Sequence, residues 1–347
     1  MIYNRSLEDT YLELTENSSN FIPFLLGRNA VNYLIQVLEI KTVFLPAYIC
    51  PIVVDIFKNY DIEVFFYENL DRNLEIPIDN IISTIENTNS KNKLFFLWHD
   101  YLNIIGDLPD ELSNYLKRND IEVLIDATHS LPIKTYKSQN VIFGFRKLLN
   151  QPFGSLVQFG KTPSSKSLID INKVKLWKFL IFHKISTNIF LLFKGQNNKV
   201  VNYFLKLISK FGDCLSFDKK NFFLFENFHY SKILDIHKNL DYEKISRARR
   251  KNFLYYSSSL NNKINLKNFD ISCPYGYPLF VKDNKKLRKK LWEMGVHSFI
   301  LWSDLHKDIQ SKYSENSLYL SNTNIVLPVN QDLSLNDIER IVKIING

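Results

Sequence analysis

The sequence predicts an α/β protein in which a large domain with a mostly parallel sheet precedes a smaller α+β domain. Short apolar runs alternate with helix-like segments through the first half of the 347-residue chain, which is the pattern of a parallel sheet covered by helices. The second half changes in composition and mixes helix-like with strand-like segments. A balance of 45% hydrophobic and 23% charged residues is typical of a globular protein.

The first-half segments define the large domain, to which we assign residues 1–165, including an N-terminal arm. Short apolar runs have the length and residue types of β-strands; they are Thr42–Leu45, Val64–Tyr67, Leu94–Trp98, Val123–Asp126, Val141–Phe145 and Ser155–Phe159. The segments between them resemble helices; they are Ala30–Leu38, Ile49–Asn59, Pro77–Glu86 and Asp110–Arg118.

The second half divides into two parts. Residues 166–215 are predicted to form a basic, apolar helical insertion, and residues 216–347 a small α+β domain. In the latter, Tyr242–Leu260 and Asn336–Ile345 are predicted helices, and Pro274–Val281 and Ile325–Pro328 predicted strands. Leu287–Gly295 is a short predicted helix that ends at a glycine, as helix C-termini often do.

Composition excludes several classes of protein. Cys50, Cys214 and Cys273 are few and far apart, so we expect neither a disulfide framework nor a metal site. The glycines form neither Gly-x-Gly-x-x-Gly nor a Walker loop. No nucleic-acid-binding signature accompanies the basic charge. Since the first residues lack a secretory signal pattern, we expect a cytoplasmic protein.

Four features of the large domain are chemical candidates. Gly27–Asn29 precede an apolar helix, whose N-terminus can hold a phosphate. Asp126 ends a predicted strand, where a carboxylate can keep a heterocyclic nitrogen protonated. Lys147 follows the next strand beside Arg146, which disfavours the ammonium form and suits attack on a carbonyl carbon. Pro152–Ser155 forms a turn into the following strand.

The order and spacing of these features resemble the DegT/DnrJ/EryC1/StrS family of sugar aminotransferases, which are fold type I enzymes dependent on pyridoxal 5′-phosphate (PLP). The resemblance extends from about Phe24 to the C-terminus and is strongest at 27–53 and 123–157. It implies an aminotransferase that acts on a keto sugar or related keto acceptor in surface polysaccharide or sugar biosynthesis. It also implies glutamate as the amino donor and a homodimer as the active form.

The resemblance assigns a role to each matching position. Lys147 matches the lysine that attaches covalently to the cofactor, and Asp126 matches the carboxylate that keeps the pyridine nitrogen protonated. His129 stands near the expected position of the cofactor 3-hydroxyl, as a hydrogen-bond partner or acid/base. The residues that match the phosphate cradle are Gly27, Arg28 and Asn29.

Two positions depart from the family pattern. Cys50 stands where an aromatic residue usually covers the cofactor ring, so stacking either shifts to Tyr48 or is lost. Gly144 stands where the family commonly has a serine that binds the phosphate, and we expect Arg146 to compensate. The cofactor site is therefore better supported than the identity of the substrate.

Two further residues are candidates for contact with substrate. His99 ends a predicted strand at the same sheet edge and either lines the pocket or belongs to the core. Trp302, in the C-terminal domain, matches a family position near the substrate.

Alternatives to transamination stay open. A PLP-dependent dehydratase, lyase or decarboxylase would use the same fold, but relatives that dehydrate sugars usually replace the lysine with histidine, and Lys147 is retained. A non-catalytic, membrane-docked member of the fold is favoured by the departures from the family pattern and opposed by the intact pair of Asp126 and Lys147.

The formal net charge of +8 arises from one segment. Residues 171–212 contain eight lysines and no acidic residue, and basic and acidic residues balance at 36 each in the rest of the chain. Lysines beside apolar and aromatic residues suit peripheral contact with an anionic inner membrane face. The alternative, which we favour, is a lid or dimer-contact helical insertion with solvated lysines.

Overall fold

A computed structural model describes residues 21–90, 92–132, 140–149, 154–159, 237–260, 269–310 and 315–347, together with Tyr136, Ser138, Ile264 and the backbone of 169–170 and 228–229. Within this part of the chain the large sheet and the C-terminal α+β region both form, as the sequence predicts. The proposed insertion at 166–215 lies outside the described residues, apart from the two-residue strand at 169–170.

The large sheet is formed by the strands β1 (Phe21–Phe24), β2 (Thr42–Pro46), β3 (Glu63–Tyr67), β4 (Leu94–His99), β5 (Glu122–Ala127), β6 (Asn140–Gly144), β7 (Ser155–Gln158), β8 (Ile169–Asp170) and β9 (Phe228–His229). Their order across the sheet is β3-β2-β4-β5-β6-β7-β1-β9-β8. Strands β3, β2, β4, β5 and β6 are parallel, and β7 is antiparallel to both β6 and β1. The carboxyl ends of β1, β2, β4, β5 and β6 therefore meet at one edge.

Helices connect these strands: α1 (Gly27–Val37), α2 (Pro51–Lys58), α3 (Ile78–Glu86) and α4 (Asp110–Arg118). Pro51 suits the first turn of α2 because its ring fixes a helical φ and the missing N–H would have no partner in the helix. In α4 acidic residues occupy the first turn and basic residues the last, which complements the helix dipole.

Two apolar clusters cover the two faces of the large sheet. Along β2, Val43 and Leu45 point into the cluster that includes α1 and α2, whereas Phe44 points into the cluster that includes α3 and α4. Alternate side chains of a strand face opposite sides of the sheet. Because both sides are buried, these strands appear in the sequence as nearly continuous apolar runs.

The C-terminal region contains α5 (Tyr242–Ser259), β10 (Gly276–Phe280), α6 (Asn284–Glu293), α7 (Lys307–Gln310), α8 (Glu315–Thr323), β11 (Asn324–Pro328) and α9 (Leu335–Asn346). Strands β10 and β11 form an antiparallel pair. Their buried residues, such as Tyr277 and Val326, belong to the same apolar cluster as α1 and α2. The C-terminal region therefore packs on that side of the large sheet.

The structure contains elements that the sequence analysis does not predict. Strand β1 is only four residues long and contains Pro23, which is unusual inside a strand. Helix α8 buries Ser317 and Ser321 beside Leu320, so its sequence shows no continuous apolar stripe. The four-residue α7 is also absent from the prediction.

Two features concern membranes and metals. Among the residues that the structure describes, no helix combines the length and the apolar character needed to cross a membrane. The same residues include no group of three or more His, Cys, Asp or Glu side chains placed to hold a metal ion.

Candidate active site

A cavity of about 400 Å³ opens where the parallel strands of the large sheet end. This volume is in the range of small-molecule sites. The cavity is lined by these residues predicted for the site: Gly27, Arg28, Cys50, His99, Asp126, Arg146, Lys147 and Trp302. The topology brings all of these except Trp302 together, because β1, β2, β4, β5 and β6 all end at the same edge of the sheet. Trp302 reaches the cavity from the C-terminal region.

Two guanidinium groups make part of the cavity wall strongly basic. Arg28 lies in the first turn of α1, and Arg146 follows β6. Burial lowers the pKa of Arg28, and the nearby positive charge of Arg146 lowers it further. The N-terminal end of α1 adds the positive end of a helix dipole. This part of the cavity can bind an anion such as a phosphate group.

Two glycines allow close packing around Thr128. A Cβ atom on Gly27 would lie 2.9 Å from Thr128 Cγ2, and one on Gly144 would lie 2.4 Å from the Thr128 carbonyl oxygen. The second distance cannot be relieved by rotating a side chain, because the carbonyl belongs to the backbone. Glycine at 144 is therefore required by packing, which explains why the serine common in the resembling family does not stand there.

Asp126 is a buried carboxylate with a polar neighbour at each oxygen. The backbone N–H of Thr128 donates to Oδ1 at 3.0 Å, and His99 Nδ1 lies 3.2 Å from Oδ2. Burial alone would raise the pKa of Asp126, but the combined effects of His99, Lys147 and Thr128 hold that pKa well below its usual range. The carboxylate is therefore ionised and can face a protonated heterocyclic nitrogen in the cavity.

Lys147 presents its amine inside the same cavity. Its Nζ atom donates to Thr128 Oγ1 at 3.2 Å. Desolvation in the cavity lowers the pKa of Lys147, while the negative charge of Asp126 opposes the shift and the positive charge of Arg146 adds to it. A lowered pKa increases the fraction of neutral amine, which is the form that attacks a carbonyl carbon.

His99 lies beside Asp126 because β4 and β5 pair in register at these two residues. Its side chain is only 1% exposed. Nε2 has no hydrogen-bond partner within the described residues. His99 thus lines the cavity with one ring nitrogen close to Asp126 and the other available to a ligand.

His129 lies behind the cavity wall and is not among the lining residues. The backbone N–H of Leu102 donates to its Nδ1 at 3.1 Å, so a neutral ring carries its proton on Nε2. Burial, followed by electrostatic interactions with Lys147 and His99, holds the pKa of His129 well below 6.5. Its ring stacks on Tyr275, with centroids 4.9 Å apart. The expected contact with a cofactor 3-hydroxyl stays a prediction.

Tyr48 and Asn29 also lie outside the cavity lining. Tyr48 is fully buried, donates its hydroxyl to the Leu301 carbonyl at 3.2 Å and packs edge-on against Trp302 at 4.9 Å. Asn29 is buried within α1. Tyr48 therefore supports the wall from behind, while Cys50, at the end of the same segment, reaches the cavity.

Three residues in or beside the cavity are not predicted from the sequence: Thr128, Tyr275 and Arg249. Thr128 and Tyr275 line the cavity. Thr128 lies between two predicted site residues, so its position in the motif was an available signal. Tyr275 stands in the segment Pro274-Tyr275-Gly276, and only the packing of the C-terminal region against the large sheet brings it to the cavity.

Arg249 connects the Lys147 segment to the C-terminal region. Its guanidinium donates to the carbonyl of Leu148 at 2.7 Å and to that of Pro274 at 3.1 Å. It also donates to Gln331 Oε1 at 2.9 Å. The side chain is 1% exposed, so these bonds replace its hydration. Arg249 thereby fixes the peptide after Lys147 relative to the segment that carries Tyr275.

Comparison with known proteins gives matches at the level of structure. No protein-family model and no curated sequence matches the chain. A DegT DnrJ EryC1 StrS aminotransferase from Brucella abortus matches at 14% identity with a TM-score of 0.62, covering 100% of this chain and 91% of that one. The sugar aminotransferase CalS13 from Micromonospora echinospora matches at 12% identity with a TM-score of 0.58, covering 99% and 92%.

A third solved structure extends the comparison to another reaction. GDP-4-keto-6-deoxy-D-mannose-3-dehydratase from E. coli, with bound hydrated PLP, matches at 13% identity with a TM-score of 0.61, covering 99% of this chain and 92% of that one. All three similarities extend over nearly the whole chain. The chain therefore has the fold of the DegT/DnrJ/EryC1/StrS aminotransferases, which is that of fold type I PLP-dependent enzymes.

Proposed function

We propose that this protein is a PLP-dependent aminotransferase that transfers an amino group to a keto sugar or a related keto acceptor. One observation carries the proposal: an ionised, buried Asp126 and the amine of Lys147 share a cavity whose wall also holds two guanidinium groups. These groups match the three reactive parts of PLP: a carboxylate for the pyridine nitrogen, an amine for the aldehyde and guanidinium groups for the phosphate.

The residues present fit each part of the cofactor. Arg28, Arg146 and the N-terminal end of α1 would hold the phosphate. Asp126 would hold the pyridine nitrogen in its protonated form, because its own proton affinity is low. Lys147 would hold the aldehyde carbon covalently. When bound, PLP supplies a ring that accepts negative charge from the substrate α-carbon.

Lys147 is also the group placed to move protons. Its lowered pKa increases the fraction of Nζ that is a free amine. Once the amino donor has displaced it from the cofactor, Nζ can take the proton from the donor α-carbon and deliver it to the cofactor carbon that Lys147 had held, and the reverse transfer would serve the acceptor. Asp126 remains ionised throughout, since His99 and the Thr128 N–H stabilise its charge. His129 lies behind the cavity wall, and its contact with the 3-hydroxyl is proposed from the family resemblance alone, with Nε2, which has no partner among the described residues, as the donor.

The acceptor and donor are proposed from the similar structures and from the family resemblance. CalS13 is described as a sugar aminotransferase, which supports a keto sugar as acceptor, and we propose glutamate as donor. His99 and Trp302, on the cavity wall, are the proposed substrate contacts. The proposed active form is a cytoplasmic homodimer, and light scattering of the purified protein measures its mass.

The decisive experiment is the first half-reaction alone. PLP-loaded protein mixed with glutamate should form pyridoxamine 5′-phosphate and 2-oxoglutarate in equal amounts, and Lys147→Ala should form neither. A protein that binds PLP but leaves glutamate unchanged would contradict transamination.

The dehydratase is the second candidate, because one similar structure is a dehydratase with bound PLP. It is tested by incubating the PLP-loaded protein with keto-sugar nucleotides and measuring products by mass spectrometry. Loss of water without gain of an amino group identifies the dehydratase, and gain of nitrogen from glutamate identifies the aminotransferase.

The role of residues 171–212 is a separate proposal, namely peripheral contact with an anionic membrane face. Deleting 173–210 should abolish sedimentation with phosphatidylglycerol vesicles at low salt. If the full chain does not sediment with them, the segment is a lid or a dimer contact.

A further inference from the structure

Trp302 lines the cavity with its backbone in an unusual conformation. Its φ angle is 50°, in the left-handed region that bulky residues rarely adopt. A residue in this region costs folding free energy and persists only where the surrounding structure determines it. Such outliers concentrate at functional sites.

The buried side chain of Asn324 fixes the peptide groups before Trp302. The backbone N–H of Leu301 donates to Asn324 Oδ1 at 2.9 Å, and Asn324 Nδ2 donates to the Leu301 carbonyl at 3.0 Å. Asn324 is completely buried at the start of β11. One side chain therefore satisfies both backbone groups of the residue that precedes the strained position.

Two hydroxyl groups fix the same segment from other directions. Ser321 Oγ donates to the Trp302 carbonyl at 2.9 Å, and the Tyr48 hydroxyl donates to the Leu301 carbonyl at 3.2 Å. Ser321 comes from α8, and Tyr48 from the segment after β2. The left-handed conformation is thus held by three separate elements of the fold, one of which belongs to the large sheet domain.

The indole ring packs against the rings of two histidines, one of which lies beside the Asp126 carboxylate. Its centroid is 5.1 Å from that of His99, whose Nδ1 lies beside Asp126. It is 5.7 Å from the His129 ring and nearly parallel to it, at 18°. The indole reaches the cavity next to the group that would hold the pyridine nitrogen.

We propose that the indole of Trp302 forms the contact surface for the pyridine ring of the cofactor. The inference rests on the proposed function and goes beyond it by assigning ring binding to the C-terminal region. Tyr275 also lines the cavity, but its ring packs against His129 and Phe299, whereas the Trp302 ring packs against His99, which lies beside Asp126. Cofactor affinity therefore depends on the packing of the C-terminal region against the large sheet.

Titration with pyridoxamine 5′-phosphate tests this inference, because this form cannot attach covalently to Lys147 and reports the non-covalent contacts alone. Trp302→Leu should bind it about tenfold more weakly than the wild type, and Trp302→Phe within about threefold, as expected for the loss or retention of an aromatic contact. Trp292→Leu, an exposed tryptophan on α6, is the matched control and should bind as the wild type does.

Inorganic phosphate provides a matched ligand without a ring. Trp302→Leu should bind phosphate as tightly as the wild type, since the guanidinium groups are untouched. Equal affinity of wild type and Trp302→Leu for pyridoxamine 5′-phosphate would overturn the inference while leaving the proposed function intact. An equal loss of affinity for both ligands would also overturn it. A wild-type protein that binds neither pyridoxamine 5′-phosphate nor PLP would overturn the proposed function as well.

Discussion

At the scale of single residues, the candidate site depends on a carboxylate that keeps its charge without water. Asp126 is 4% exposed, and an isolated carboxylate at this depth would take up a proton. The Thr128 N–H and His99 stabilise the ionised form instead. The charge of Asp126 is therefore stabilised by one neighbour two residues along the chain and by another on the adjacent strand β4.

Replacing Asp126 by asparagine tests the role of this charge. Asp126→Asn keeps the size of the side chain but removes the group that holds a protonated pyridine nitrogen. We expect the half-reaction with glutamate to slow by about a hundredfold or more, measured by stopped-flow absorbance. Asp61→Asn, at an exposed position whose left-handed backbone suits asparagine, is the control. An unchanged rate in Asp126→Asn would exclude the proposed role.

Gly144 provides a second test at this scale. A serine there would place Cβ 2.4 Å from the Thr128 carbonyl oxygen, so β6 and the loop after β5 would have to separate. We expect Gly144→Ser to lower the free energy of unfolding by about 2 kcal/mol, measured by urea denaturation. Gly347→Ser, where a Cβ would be 3.4 Å from its nearest neighbour, should change it little. Equal stability of both variants would show that the close approach is not required.

At the scale of elements, the strand ends of the large sheet are what the sequence predicts best. Asp126 and Lys147 could be predicted as neighbours because they follow adjacent parallel strands, whose carboxyl ends share an edge. The positions of Tyr48 and His129 behind the cavity wall could not be predicted from the sequence, because they depend on the packing of Trp302 and Tyr275 against them. The position of the Trp302 ring depends on a positive backbone φ angle, which no local sequence motif predicts.

Helix α5 contributes Arg249, which binds carbonyl groups of two different regions. Arg249→Met should lower the free energy of unfolding by about 3 kcal/mol, because it leaves buried carbonyl groups without donors. On the same helix, the exposed Arg247 pairs with Glu243, and Arg247→Met should cost less than about 1 kcal/mol. Urea denaturation of both variants provides the comparison, and equal losses would refute the anchoring role of Arg249.

At the scale of the whole molecule, buried histidines make stability dependent on pH. Burial is the leading cause that lowers the pKa of His129, His237 and His306 below 6.5. A histidine whose pKa is lower in the folded state binds its proton more readily after unfolding. The unfolded state therefore gains protons first as the pH falls, and the folded state loses stability below about pH 6.5.

His237 is the best single probe of this effect. It is completely buried, its Nδ1 lies 2.5 Å from the Tyr242 hydroxyl, and burial together with Lys238 lowers its pKa to about 4. Between pH 6.5 and 4 it should account for a loss of about 3 kcal/mol of stability. His237→Gln should lose less stability over that range, measured by urea denaturation at several pH values. Parallel pH profiles for the two proteins would assign the effect to other groups.

The proposed function of this protein depends on a covalent bond between the cofactor and one lysine at the edge of the sheet. Incubation with PLP, reduction with borohydride and peptide mass spectrometry test this directly. We predict one pyridoxyl group per chain, located on Lys147 and absent from Lys147→Ala. A label spread over surface lysines, or located on a single lysine other than Lys147, would contradict the account.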